Sequence, residues 1–399
     1  MTVTIHPGRA AGTVAAPPSK SCGHRMLLCA ALASGESRIR GIAQSQDMLA
    51  TMDCIRAMGG DCRLEGDTAL VAGTGGAAAP SAVYPCRESG STLRFCIPPA
   101  LVPGGTATFT GTPRLMERGV GLYEALFSAR GVAVTKTPDS ATFTGRLPPG
   151  GYTLRGDVSS QFVSGLLLAL PLLPEDSTLR ILPPVESRPY IDITLDVLSA
   201  FGVRVKEQAG NTFLIPGGQH YEPRAASVEG DWSNAAFLFA LGDAVTVTGL
   251  RPDSLQGDRV CCDMLRRLDR PGAVLDLSAC PDLGPVLFAA AARSHGAVFT
   301  GTRRLRIKES DRAAAMAQEL AKLGASVQVE SDRVIVHPAP LHAPSETLDG
   351  HNDHRIVMAL SVLCASLGGT IRGAEAVSKS WPSFFDTLRA LGLELDLRP

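Results

Sequence analysis

Lysines, arginines and carboxylates recur along this sequence beside short runs of Ser, Thr, Asp and Asn, each followed by an apolar stretch. The densest run is Ile307-Lys308-Glu309-Ser310-Asp311-Arg312. Others are Ser19-Lys20-Ser21 with Arg25, Ser89-Gly90 with Arg94, Glu117-Arg118, Ser159-Ser160-Gln161, Asp282, Asn352-Asp353-His354-Arg355, and Lys379 before Trp381-Pro382. Hydroxyl and carboxylate residues at such places cap helix starts. Capping accounts for Ser19, Ser89, Ser159, Asp282 and Asn352 one by one. It leaves Lys20, Arg25, Arg94, Arg118, Lys308, Arg312, Arg355 and Lys379 unexplained, because a cation at a helix N-terminus opposes the dipole by about 0.3–1 kcal/mol. Repeated local violations point to function. Cations beside free backbone N–H groups bind phosphate and carboxylate. Carboxylates set among them can move protons. The chemistry implied is that of small, phosphorylated, anionic substrates.

Two kinds of helix position these residues. One is amphipathic and ends at a glycine followed by a β-branched run, at Gly59, Gly131, Gly202, Gly272, Gly324 and Gly392. The intervals are roughly 70 residues, with one shorter gap of about 50. Each glycine is a natural helix terminator in the left-handed conformation, and each following run alternates like a strand. The second kind has a polar start and then becomes apolar all round, as in Ser159-Ser-Gln-Phe-Val-Ser-Gly-Leu-Leu-Leu. Such a helix is buried. Each repeat therefore carries one buried helix, one half-exposed helix and several strands, and six repeats fit two domains of three. With buried helices parallel at each domain's centre, their polar starts line a cleft.

Composition narrows the partners. The 399 residues suffice for two or three domains. A net charge of −1 and 5% aromatics argue against a nucleic-acid binder, so anion binding rests on local clusters. No charge-free apolar run is long enough to span a membrane. The segment from Met1 to Pro7 lacks a signal peptide's apolar region, so the cytoplasm is expected. The ten cysteines form no Cys-x-x-Cys pair and sit among apolar neighbours, which reads as reduced, packed thiols. No metal-ligand cluster is apparent.

In order along the chain, Pro18-Ser19-Lys20-Ser21 with Arg25, Gly111-Thr-Pro-Arg114 with Glu117-Arg118, Ser159-Ser160-Gln161-Phe162, Ser187-Arg-Pro-Tyr190, Glu229-Gly-Asp231, Pro281-Asp282, Lys308 to Arg312, Asn352 to Arg355 and Lys379 resemble the motifs of 5-enolpyruvylshikimate-3-phosphate synthases. The ordered set runs from about residue 17 to about residue 385, nearly the whole chain. The resemblance implies an α/β fold of two domains, each of three βαβαββ repeats with buried helices inside and sheets outside. It implies one domain of residues 1–17 with 230–399 and another of 18–229, with hinges near 17–18 and 229–230. It implies transfer of the enolpyruvyl group of phosphoenolpyruvate to the 5-hydroxyl of shikimate 3-phosphate, with no cofactor and no metal.

Carried over by motif, the resemblance implies that Lys20 touches both substrates. Ser21, Arg25, Ser159, Ser160, Gln161, Ser187 and Lys308 hold shikimate 3-phosphate, with Tyr190 nearby. Gly90, Arg118, Gln161, Arg312, Arg355 and Lys379 hold phosphoenolpyruvate. Asp282 binds the shikimate hydroxyls and accepts the proton, and Glu309 transfers a proton at the methylene. Arg94 and Arg114 read as structural ion-pair partners. The family's Asn-Ala-Gly-Thr loop stands here as Glu88-Ser89-Gly90-Ser91, and Cys22-Gly23-His24 replaces a more usual triplet. Two rivals remain. A transferase acting on UDP-N-acetylglucosamine would carry a catalytic Cys between Thr112 and Glu117, where none occurs. A non-catalytic anion-binding paralogue would have lost Asp282 or Glu309. A monomer is expected, since apolar repeats can satisfy one another.

Overall fold

The computed structural model describes residues 1–399. The chain divides into two compact units, residues 18–229 and residues 1–17 with 230–399. Each has its own apolar core.

In the 18–229 unit, three four-stranded sheets share one plan. Strands Ser81–Pro85 and Thr106–Thr110 pair in parallel, joined through the helix Gly90–Ala100. Ser140–Thr144 then pairs antiparallel with Thr106–Thr110, and Ala133–Thr137 completes the hairpin. Gly150–Arg155, Ser177–Leu182 and the hairpin Lys206–Gln208 with Thr212–Ile215 repeat this order. The remaining sheet takes its first strand from the far end of the unit, because Ala225–Ser227 pairs in parallel with Glu36–Arg40. The helices Lys20–Leu32, Gly90–Ala100 and Ser160–Ala169 are buried along almost their whole length. The amphipathic helices Gln46–Ala57 and Arg188–Ala200 pack beside them with one face outward.

The other unit follows the same plan with one departure. Strand Thr2–Ile5 lies between Gly369–Arg372 and Leu395–Arg398, antiparallel to both. Val274–Asp276 and Ala297–Thr300 open a second four-stranded sheet. The third sheet has two strands only, Gly12–Ala15 and Val245–Thr248. After the helix Cys261–Leu268 the chain passes Gly272 and enters Val274–Asp276 directly. The absent hairpin is the physical reason for the short spacing between Gly272 and Gly324. All six repeat glycines have positive φ, from +80° to +103°. A side chain there would be strained, so glycine ends these helices at little cost.

Candidate active site

In the unit of residues 1–17 and 230–399, the starts of the buried helices Gly284–Arg293 and His354–Leu367 and of the amphipathic helix Arg312–Ala321 gather a dense charge cluster. Asp282 lies in a short 3-10 turn, Pro281–Leu283, leading into the helix Gly284–Arg293. Its Oδ1 accepts from Arg312 Nη1 at 2.8 Å and Lys308 Nζ at 3.1 Å. Its Oδ2 accepts from Arg355 Nη2 at 3.1 Å. Arg312 is 1% exposed and also donates to Glu309 Oε2 at 2.7 Å and Asp353 Oδ2 at 2.8 Å. Arg355 Nη2 donates to Ser233 Oγ at 2.9 Å. Lys379 Nζ donates to the Asn352 carbonyl at 2.6 Å.

The charges set one another's protonation. Burial pushes the Asp282 carboxyl up, but Arg355, Lys308 and Arg312 together outweigh it and hold it well below the usual carboxylate range. Burial pulls Lys308 down, against the opposing pull of Asp282. Burial also acts against the Arg312 cation, yet Asp353, Glu309 and Asp282 outweigh it and raise its pKa.

In the 18–229 unit, Ser19 caps the helix Lys20–Leu32, and Lys20 Nζ donates to Asp47 Oδ2 at 2.7 Å. Arg25 is buried among neutral acceptors: Thr194 Oγ1 at 2.7 Å, the Ser21 carbonyl at 2.7 Å, the Tyr190 carbonyl at 2.9 Å and Ser164 Oγ at 3.2 Å. Its guanidinium lies over the Phe95 ring, 4.8 Å from the centroid. Burial lowers its pKa to about 10, so it stays cationic at neutral pH. Gly90 begins its helix directly under Arg118, and a Cβ there would stand 2.9 Å from Arg118 Nη2. Ser159 caps the helix Ser160–Ala169, which carries Gln161.

Non-glycine residues in the left-handed region mark three of these turns. Arg87 precedes Gly90, Ser187 opens the helix Arg188–Ala200, and His351 and Asn352 precede Arg355. Such conformations cost about 1–3 kcal/mol each and concentrate at functional turns. Asn and His enter this region more readily than most residues, so His351-Asn352 carries a signal in its residue types, whereas Arg87 and Ser187 carry none.

Three expectations from sequence are corrected. Asn352 is not the cap of its helix; Asp353 is, accepting from the Arg355 N–H at 2.9 Å. Asp282 does not occupy the cap position of either helical segment, which Cys280 and Leu283 hold; its side chain is turned onto the three cations. Arg118 and Lys379 do not stand at helix starts: Arg118 ends the helix Pro113–Arg118, and Lys379 ends the 3-10 segment Ala374–Lys379. Arg114 meets Glu117 at 3.5 Å on the surface, as an ion-pair partner would. Asp47 and Asp353 were not singled out as partners of Lys20 and Arg312. Their acidic character at a helix start was a usable signal.

The model of the EPSP synthase (3-phosphoshikimate 1-carboxyvinyltransferase) family matches residues 5–388. A 3-phosphoshikimate 1-carboxyvinyltransferase of Clostridium kluyveri is 40% identical over 424 aligned positions, covering 99% of this chain and 98% of that protein. One of Clostridioides difficile is 33% identical, covering 99% and 98%. Among solved structures, an EPSP synthase from Acinetobacter baumannii superposes with a TM-score of 0.80 at 24% identity, covering 99% of this chain and 100% of that one. The enolpyruvyl transferase NikO from Streptomyces tendae gives 0.79 at 18% identity, covering 99% and 98%. These two likenesses show the shared fold. With the family model matched along nearly the whole length, this chain belongs to the EPSP synthase family.

Proposed function

We propose that this chain transfers the enolpyruvyl group of phosphoenolpyruvate to the 5-hydroxyl of shikimate 3-phosphate, releasing phosphate by addition and then elimination. The observation that carries this is the Asp282 cluster: a carboxylate gripped by Lys308, Arg312 and Arg355, with Glu309 on the same arginine, in a chain of this family. The reaction requires a base for the hydroxyl, an acid for the methylene carbon, and cations for two phosphates and two carboxylates. Asp282 serves as the base and Glu309 moves the methylene proton. Lys20 touches both substrates. Shikimate 3-phosphate is held by Ser21, Arg25, Ser159, Ser160, Gln161, Ser187 and Lys308, and phosphoenolpyruvate by Gly90, Arg118, Gln161, Arg312, Arg355 and Lys379.

The clamp on Asp282 suggests how its role changes during turnover. Without substrate, three cations hold it as a weak base. The phosphate and carboxylate of phosphoenolpyruvate come to Arg312 and Arg355, and the phosphate of the acceptor comes to Lys308. Each anion takes up part of the cationic field, so the Asp282 pKa moves back up toward that of a useful proton acceptor. Glu309 shares Arg312 with Asp282.

No helix is long and apolar enough to cross a membrane. A monomer acting in the cytoplasm, with hinges at 17–18 and 229–230, fits two units that each bury their own core. The test is phosphate release from phosphoenolpyruvate by the full chain, with shikimate 3-phosphate or UDP-N-acetylglucosamine as acceptor. Release only with shikimate 3-phosphate is expected. Release only with the nucleotide sugar overturns the acceptor, and release with neither, from protein shown to be folded, overturns the transferase.

A further inference from the structure

Arg94 stands on the buried helix Gly90–Ala100 and is itself 4% exposed. Its Nη1 donates to Gln161 Oε1 at 2.6 Å. Its Nη2 donates to the Arg118 carbonyl at 2.7 Å and the Gly119 carbonyl at 3.2 Å. Its guanidinium lies over the Phe162 ring, 4.9 Å from the centroid. At the other end of the Gln161 amide, Nε2 donates to Ser91 Oγ at 3.0 Å.

An arginine has donors only, whereas a glutamine amide has an accepting end and a donating end. Only the oxygen of Gln161 can therefore face Arg94, because a flipped amide would set its NH2 group against a cation. The NH2 end is left beside Ser91, next to Gly90, with a second N–H to give. An anionic substrate needs a donor there; an amide oxygen would repel it. Arg94 also grips the main chain at Arg118, whose guanidinium lies over Gly90.

We propose that Arg94 is a positioning residue for substrate binding: it fixes the sense of the Gln161 amide and the placement of Arg118. The inference rests on the reading of Gln161 and Arg118 as substrate contacts. Arg94→Met removes the donors at similar length, and Arg94→Lys keeps one charged donor. Both are compared in the full chain with Gln161→Ala and with the double variant Arg94→Met/Gln161→Ala, by kcat, by KM for each substrate and by thermal unfolding.

Gln161→Ala alone should lower kcat/KM. Arg94→Met should lower kcat/KM for phosphoenolpyruvate by about tenfold or more, mainly through KM, with partial recovery in Arg94→Lys. In the double variant the loss should fall short of the product of the single losses by about fivefold or more, as coupled residues require. Strictly multiplicative losses, or no recovery by lysine, overturn the inference while leaving Gln161 in the site. Full activity in Gln161→Ala removes Gln161 as a substrate contact and the inference with it. If neither Arg94 variant folds, Arg94 is a packing residue and the inference is overturned.

Discussion

Asp282→Asn keeps the shape of the side chain and removes its charge. Three cations face that carboxylate, at 2.8 Å for Arg312 and 3.1 Å for both Lys308 and Arg355. At an effective dielectric constant of about 20, each pair attracts by about 5–6 kcal/mol, and desolvation of the buried ions cancels most of the sum. Arg312 keeps Glu309 and Asp353, and Arg355 keeps Ser233. Losing the shared carboxylate should then cost about 3 kcal/mol. That corresponds to a Tm lower by roughly 6–12 °C for a unit of this size. The Asp282 pKa is depressed on folding, so its contribution is present above the unfolded carboxylate pKa of about 3.9 and is lost only as pH falls through the lower folded value. The gap in Tm should persist through neutral pH and close in strong acid. If Asp282 is the base, as proposed, its loss should lower kcat by about 100-fold to 10,000-fold. The cations left without Asp282 become more available to substrate anions, so KM for phosphoenolpyruvate should fall and inorganic phosphate should raise Tm more in the variant than in the parent. Phosphate release and thermal unfolding read all of these. Unchanged kcat would remove Asp282 as the base. A raised KM with no extra stabilisation by phosphate would refute competition between Asp282 and substrate, and would mean that Asp282 arranges the cations for binding.

Gly90→Ala should leave the fold intact, because its Cβ meets the movable end of Arg118, 2.9 Å away at Nη2. KM for phosphoenolpyruvate should rise severalfold with little change in kcat, and an unchanged KM would separate Gly90 and Arg118 from that substrate. Gly165→Ala has no such freedom: its Cβ would lie 2.2 Å from the Tyr123 hydroxyl and 2.3 Å from the Arg94 carbonyl. A loss of about 3 kcal/mol is expected in denaturant unfolding, and a loss under about 1 kcal/mol would show that the helix can shift. His351 Nε2 meets the buried Glu319 at 2.9 Å, and this bond raises the imidazole above 6.5 against the effect of burial, with Asp349 adding to the rise and Lys322 opposing it. Its stabilisation is fully present below the unfolded pKa and is lost as pH rises through the raised folded value. The Tm difference between parent and His351→Gln should shrink as pH rises above about 6.5, and a difference that stays flat with pH would count against the imidazolium.

The repeat was legible because its punctuation is steric. A glycine with φ near +84°, as at Gly131 and Gly202, has few substitutes. The buried helices were legible because apolar residues on every side leave no solvent face. Even the absent hairpin was written in the shorter gap before Gly324, although spacing alone could not say which element was gone. The helix caps were less legible. Asn352 and Asp353 are both good caps, and the choice depends on the left-handed turn through His351 and Asn352, which places Asp353 at the extended position. The partnerships were least legible. Arg94 reaches Gln161 across 67 residues and Arg355 reaches Asp282 across 73, separations closed by the packing of Gly90–Ala100 against Ser160–Ala169 and of Gly284–Arg293 against His354–Leu367. Residue type says that an arginine wants acceptors and leaves open which ones.

Arg312 shows why the cations of this site come with so many carboxylates. At 1% exposure its charge has lost its water, and three carboxylates, from Asp282, Glu309 and Asp353, stand in for it. A buried guanidinium keeps its proton and needs acceptors: neutral oxygens satisfy Arg25, whereas three carboxylates satisfy Arg312. Those on movable chemistry, Asp282 and Glu309, are the two proposed to handle protons. Asp353 is fixed as a helix cap, bound to the Arg355 N–H, and stays on Arg312. On the proposed roles, arrival of substrate exchanges one set of anions for another around cations that are already in place, so little reorganisation is needed. In the proposed mechanism the same exchange frees Asp282 and Glu309 for proton transfer, which joins the stability of the substrate-free protein to its chemistry through one arginine.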